Sequence, residues 1–511
     1  MTAVVLLLGT GGCGQPTVTK EQVAIHPHTG VSTSKSRVPA GTAKRTKAPK
    51  GFGSYYRQNV AWRHCDMTFE CATVSAPMDW SDPSSPPVRL ALERSAARGD
   101  RVGSLLVDPG GPGASGTEFV QHASYLFGNE VLSAYDLVGF DPRGVGRSSA
   151  VSCYDDAQWD RFTAESFAAT PEGLERTEAS YAALGAACAA RTGELLSHVD
   201  TVSAARDLDM LRAVLGDARL HYLGFSYGTQ LGSTYAALFP GNVGRMVLDG
   251  AIDPTLTAAE QVLGQAAGFE QAVRSYVADC QEASDCPLSG DVEGGTRQIA
   301  ELLDDLLAHP MPTGDPARPL TQSLGVYGII YPLYSQSLWP ALTSALDAAL
   351  HGDGSGLLDN ADSYNSRGTD GVYTDNSGPA FVAISCQDAR ESSDPAAMAA
   401  EADDLGRVAP TLGRFMAYGG LACKHWPAPL VPLEADLAAP GAPPIVVVGT
   451  TGDPATPYSW AQGLAHTLDS GVLVTYDGEG HTAYGSSNDC VLDAVDHYLV
   501  NGIVPADGTL C

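Results

Sequence analysis

Ser226 stands in Gly224-Phe225-Ser226-Tyr227-Gly228, between an apolar run at residues 220–223 and a helix-like segment at residues 229–239. In so tight a strand-to-helix turn the serine backbone is strained, and small flanking residues let strand and helix approach. The hydroxyl then stands clear at the helix N-terminus, placed to attack a carbonyl carbon. It is a poor nucleophile until a base takes its proton, and the base needs an acid to hold its tautomer. Asp453 and His481 follow the serine in that order. Asp453 lies just after the apolar run 445–449, in Gly449-Thr-Thr-Gly-Asp-Pro-Ala-Thr-Pro457. His481 lies just after 472–476, in Gly478-Glu-Gly-His-Thr-Ala-Tyr484. Both fall at the C-terminal ends of expected strands, where open sheets place their sites. Asp249 is the rival acid, because it ends the strand after the serine turn; strand position favours Asp453. Asp477 and Glu479 are too near His481 in sequence to reach it from across a site. The bland alternatives are a glycine turn whose serine only caps the helix and a loop histidine satisfied by Tyr484 or Glu479.

A carbonyl under attack gains negative charge, which two backbone N–H groups must hold. Tyr227, just after the serine, offers one. The other should come from Asp108-Pro-Gly-Gly-Pro-Gly-Ala-Ser-Gly116, where glycines adopt φ angles other residues avoid. Pro112 has no N–H, which makes Gly111 the candidate.

Elements that can carry these residues are legible. Residues 88–93 alternate, and 103–108, 135–140 and 245–249 read as buried strands. Residues 201–215 carry apolar positions at helical spacing after Asp200, a plausible N-cap. Strand alternating with helix specifies a mostly parallel, doubly wound α/β sheet covered on both faces. Residues 255–430 break that rhythm. They are Ala-rich and helix-patterned, and strands return only afterwards. The expected organisation is a signal remnant at 1–13, a basic tether at 14–52, a first core part at 53–254, a helical lid insertion at 255–430 and a second core part at 431–511.

The net charge of -29 argues against a nucleic-acid partner. The positive charge is concentrated near the start: residues 14–50 hold seven Lys/Arg and one acid, Glu21. Small residues before Cys13 resemble a bacterial lipoprotein cleavage site. Gly12 fits the position before the cysteine, and Thr10 replaces the usual leucine. Cys13 is thus a candidate for lipidation, with the folded body outside the membrane. The ten other cysteines fall into sequence-near couples: Cys65/Cys71, Cys153/Cys188, Cys280/Cys286, Cys386/Cys423 and Cys490/Cys511. An even count in an exported chain suggests disulfides, although sequence alone leaves the pairing open. No Cys-x-x-Cys occurs, so no zinc site is expected.

The Gly-x-Ser-x-Gly turn is that of the α/β-hydrolases. With Pro109-Gly-Gly-Pro-Gly113, Gly139-Phe-Asp-Pro-Arg-Gly-Val-Gly-Arg-Ser148 and Gly452-Asp-Pro-Ala-Thr-Pro457, the chain resembles the secreted tripeptidyl aminopeptidases from about residue 55 to Cys511. The resemblance implies an α/β-hydrolase fold, the triad Ser226, Asp453 and His481, peptide substrates with free N-termini, and no cofactor or metal. The related proline aminopeptidases carry His-Gly-Gly-Pro-Gly. Asp108 stands in place of that histidine, which suits the tripeptidyl branch. An enzyme of this kind must also pair the substrate ammonium group with an acid; Glu118, Asp388 and Glu391 are the candidates. An exported carboxylesterase or lipase would use the same triad, and an inactive surface lipoprotein that binds a ligand is the reading from another class.

Overall fold

The computed structural model describes residues 33–37, 47–65, 68–432 and 436–511. Cys13, the signal remnant and most of the expected tether lie outside them. Ten strands form one sheet in the order β12-β10-β9-β8-β7-β5-β6-β4-β3-β2. They are β2 (Arg63–His64), β3 (Glu70–Pro77), β4 (Pro87–Ser95), β5 (Gly103–Asp108), β6 (Tyr135–Phe140), β7 (Leu220–Phe225), β8 (Val243–Asp249), β9 (Ile445–Gly452), β10 (Gly471–Glu479) and β12 (Thr509–Leu510). From β6 through β5 to β12 every pairing is parallel, whereas β2, β3 and β4 add an antiparallel edge. A separate antiparallel pair joins β1 (Thr33–Arg37), inside the stretch expected as tether, to β11 (Ile503–Pro505).

Alternation along the strands sends neighbouring side chains to opposite faces. Leu105, Val107, Leu223, Val247 and Val446 pack on one face, beneath the helix Asp489–Asn501. Leu106, Tyr222, Met246, Leu248 and Val447 pack on the other, with the helices Thr201–Val214 and Tyr227–Leu238. Asp200 caps the first of these helices by accepting the Ser203 N–H.

Two insertions rise from this sheet. The larger runs between β8 and β9 and has its own core, including Val273, Leu303, Ile329, Leu346 and Leu357. Its helix Ser377–Asp388 instead joins the sheet's core through Ala380, Ala383 and Ile384. The smaller, between β6 and β7, contributes the helices Asp156–Ala164 and Pro171–Thr192. Sequence patterning does not mark this second insertion as distinct from the core. Arg367 clamps the two together. Its Nε and Nη2 donate to the two oxygens of Asp160 at 2.6 and 2.9 Å, and the Tyr373 hydroxyl adds a third bond at 2.9 Å.

Five disulfides close the expected couples, Cys65–Cys71, Cys153–Cys188, Cys280–Cys286, Cys386–Cys423 and Cys490–Cys511. Among the described residues, Cys65, Cys71 and Glu93 form the one cluster of metal-ligating types, and its two cysteines are already bonded to each other. Cys386–Cys423 spans 37 residues. Its loss through the double change Cys386→Ala with Cys423→Ala should cost about 4 kcal/mol by loop entropy, read as a lower denaturation midpoint in urea.

Candidate active site

β7 ends at Phe225 and the next helix begins at Tyr227, so Ser226 alone makes the turn, at φ 53° and ψ −121°. Such a conformation costs about 1–3 kcal/mol in a residue with a side chain. Neighbouring bonds hold it in place. The Ser226 N–H donates to the Asp249 carbonyl at 2.9 Å, and the Ser226 carbonyl accepts from the Thr229 N–H and hydroxyl. The flanking glycines follow from contact distances. A Cβ on Gly224 would lie 2.4 Å from the Gly228 carbonyl oxygen, and one on Gly228 would lie 2.8 Å from that of Asp108.

Asp453 follows the last residue of β9. Both of its oxygens lie 2.9 Å from His481 Nδ1. The Ala455 and Thr456 N–H groups and the Thr456 hydroxyl also reach the carboxylate, at 2.9, 2.8 and 3.0 Å, and the Thr482 N–H does so at 3.2 Å. With Nδ1–H given to Asp453, Nε2 is the nitrogen left to accept a proton. The His481 N–H donates to the Tyr334 carbonyl at 2.8 Å, and the Tyr334 ring stands edge-on to the imidazole at 5.3 Å. Imidazole and serine each lie against the turn after β8. Asp249 holds the Ser226 N–H, and a Cβ on the next residue, Gly250, would lie 3.2 Å from His481 Cε1.

Asp249 is fully buried, and its carboxylate accepts the Ala483 and Tyr484 N–H groups rather than the imidazole. Burial pushes its pKa up to about 6. It braces the loop beyond His481.

Gly110 and Gly111 both have positive φ, at 97° and 108°. A Cβ on Gly110 would lie 2.5 Å from the Phe225 carbonyl oxygen and 3.0 Å from the Tyr227 nitrogen, so only glycine lets this loop abut the serine turn. Among the described residues no hydrogen bond engages the Gly111 or Tyr227 N–H. Both residues line the same cavity as Ser226, about 380 Å³ in volume. Trp159, Phe162 and Tyr181 of the smaller insertion and Phe381 and Met416 of the larger one give it apolar walls.

The three candidate acids for the ammonium group part company. Glu118 is half-buried and does not line the cavity; burial, Asp375 and Asp141 raise its pKa. Asp388 lines it, but its carboxylate accepts the Thr201 N–H and hydroxyl, and that hydroxyl also meets the Tyr227 hydroxyl. Burial pushes the Asp388 pKa up to about 7. Glu391 lines it with a buried Oε2 that has no partner among the described residues. Burial and neighbouring Glu401 push its pKa up to about 7. Glu165, which sequence reasoning passed over, lines the cavity as well. So did it pass over Thr456, although an aspartate whose carboxylate accepts N–H groups two and three residues on is a recognisable turn.

A mostly parallel sheet with a serine at a positive-φ strand-to-helix turn and a bonded Asp–His pair just after β9 and β10 defines an α/β-hydrolase, and the protein is a serine hydrolase. Residues 409–511 match the family model described as TAP-like protein. The chain is 40% identical to Serine protease Hip1 of Mycobacterium tuberculosis over 501 residues, covering 93% of this chain and 94% of that one. It is 41% identical to Carboxylesterase B of the same organism, covering 91% and 90%, and 32% identical to Tripeptidyl aminopeptidase of Streptomyces lividans, covering 89% and 87%. The chain belongs to the tripeptidyl aminopeptidase family.

Proposed function

We propose that this protein is an exported serine exopeptidase that releases short peptides, tripeptides foremost, from free N-termini. The observation that carries the reading is the bond from His481 to Asp453 beside a strained Ser226, together with a Ser226-lined cavity that Glu391 also lines, its buried Oε2 without a partner among the described residues. Ser226 attacks the scissile carbonyl while His481 takes its proton, with Asp453 fixing the tautomer. The Gly111 and Tyr227 N–H groups hold the oxyanion. His481 returns the proton to the leaving amine, and water releases the acyl-enzyme. The helical insertions act as a lid whose walls take the substrate side chains. Five disulfides support export to an oxidising compartment, and lipidation at Cys13 would tether the body to the outer membrane face.

Glu391 is the acid best placed for the substrate ammonium, because its Oε2 is buried at the cavity wall with no partner among the described residues, while Asp388 is committed to Thr201. The pH dependence follows. Below about 7 Glu391 is protonated and pairs poorly. Above about 8 the peptide amine loses its charge. KM should therefore be lowest between about 7 and 8, and Glu391→Gln should raise KM about tenfold and flatten this minimum. The decisive test is an Ala-Pro-Ala anilide beside its N-acetylated form, a single-proline anilide and a short-chain phenyl ester. Cleavage of the free tripeptide alone supports the exopeptidase. Turnover of the ester alone overturns it in favour of a carboxylesterase, a reading favoured by the apolar cavity walls and by the relative named Carboxylesterase B.

A further inference from the structure

We propose that Asp108 is a positioning residue that holds the oxyanion loop as a neutral acid, and that its ionisation slows turnover at alkaline pH. The proposal rests on reading Ser226 as the nucleophile with Gly111 and Tyr227 as oxyanion donors.

Asp108 ends β5 and is 0% exposed. Its Oδ1 accepts the Gly110 N–H at 2.8 Å, and its buried Oδ2 has no partner among the described residues. Among the described residues, the titratable groups that face it are Tyr222 on β7, Tyr227 on the following helix and Asp141 after β6; none of these is a cation. A carboxylate this deep, given one N–H and no positive neighbour among the described residues, is far costlier than the neutral acid. Asp141 keeps its own charge matched, by taking the Ser115 hydroxyl, the Thr117 N–H and hydroxyl, and the Arg147 N–H. Burial and the like charge of Asp141 push the Asp108 pKa up to about 7.

The consequence lies one hydrogen bond away. Gly110 abuts Ser226 and Tyr227, where negative charge grows on the substrate oxygen. An ionised Asp108 would set a second negative charge behind that loop, in surroundings that screen it poorly. The neutral acid holds Gly110 without opposing the oxyanion. Its proton belongs on Oδ2, since Oδ1 is already an acceptor.

The test is kcat and KM for wild type and Asp108→Asn on the tripeptide anilide, from about pH 5.5 to about pH 9. Active sites are counted by labelling with a fluorophosphonate. Glu391 acts on KM, so the effect of Asp108 is read in kcat. Wild-type kcat should fall along an alkaline limb that asparagine removes, raising the ratio of kcat at about pH 9 to that at about pH 6.5 roughly tenfold over wild type. An equal ratio in both proteins overturns the proposal. So does a variant that labels fully yet loses kcat by one constant factor at every pH. Infrared difference spectroscopy needs no turnover: the wild-type minus Asp108→Asn spectrum at neutral pH should show a positive buried protonated-carboxyl band, since Asp388 and Glu391 are common to both proteins and cancel. A difference spectrum without that band also overturns the proposal. A wild type that fails to label at Ser226 overturns the serine reading beneath, and the infrared band then decides the state of Asp108 alone.

Discussion

Ser226→Ala should lower kcat on the tripeptide anilide by about 10⁶ and leave the fold intact. The turn is held by backbone bonds from Asp249 and Thr229 that alanine keeps. The hydroxyl itself makes no hydrogen bond to the fold among the described residues, so its removal leaves no buried group unpaired. His481→Ala should cost about as much, and the double variant little more than either single one, because the base has no task without the nucleophile. Steady-state kinetics with a matched melting curve checks this. A variant that retained more than about a hundredth of wild-type kcat would remove Ser226 from the mechanism.

Asp453→Asn should lower kcat by about 10⁴, because an amide facing Nδ1 favours the wrong tautomer. Its near isosteric shape preserves most of the N–H contacts from residues 455, 456 and 482. Asp249→Asn should do something different. It places an NH₂ against the Ala483 and Tyr484 donors, so the loop beyond His481 loosens and the melting temperature falls, with a smaller loss in kcat. Equal losses in kcat from the two variants would mean that the sequence preference for Asp453 over Asp249 had chosen on strand position without functional content.

Residues at strand ends were the easiest to read. Ser226, Asp453 and His481 each follow an apolar run, and a parallel sheet collects such ends at one edge. The bond between Asp453 and His481 joins residues that local pattern could single out separately. The cavity walls were opaque. Trp159, Phe162 and Tyr181 look like ordinary core residues of a helical stretch, and only the tertiary fold turns them towards Ser226. The helix Ser377–Asp388 reads as part of the larger insertion, yet its small residues pack into the core of the sheet. Glu118, Asp388 and Glu391 could not be ranked from sequence, because what separates them is whether a hydroxyl, a backbone N–H or nothing meets each carboxylate.

The hydrogen bond from His481 N–H to the Tyr334 carbonyl has a practical corollary for redesign. Tyr334 belongs to the helical block between β8 and β9, and the Ser275 hydroxyl of that block also bonds Glu479, two residues before the histidine. The block is therefore part of the scaffold that aims the proton acceptor. Grafting a relative's block onto this sheet to change substrate choice would have to bring a carbonyl to the same point in space. Chimeras spliced without regard to it should bind new peptides and turn them over slowly, whereas exchanges confined to Trp159 and Phe162 leave that anchor untouched.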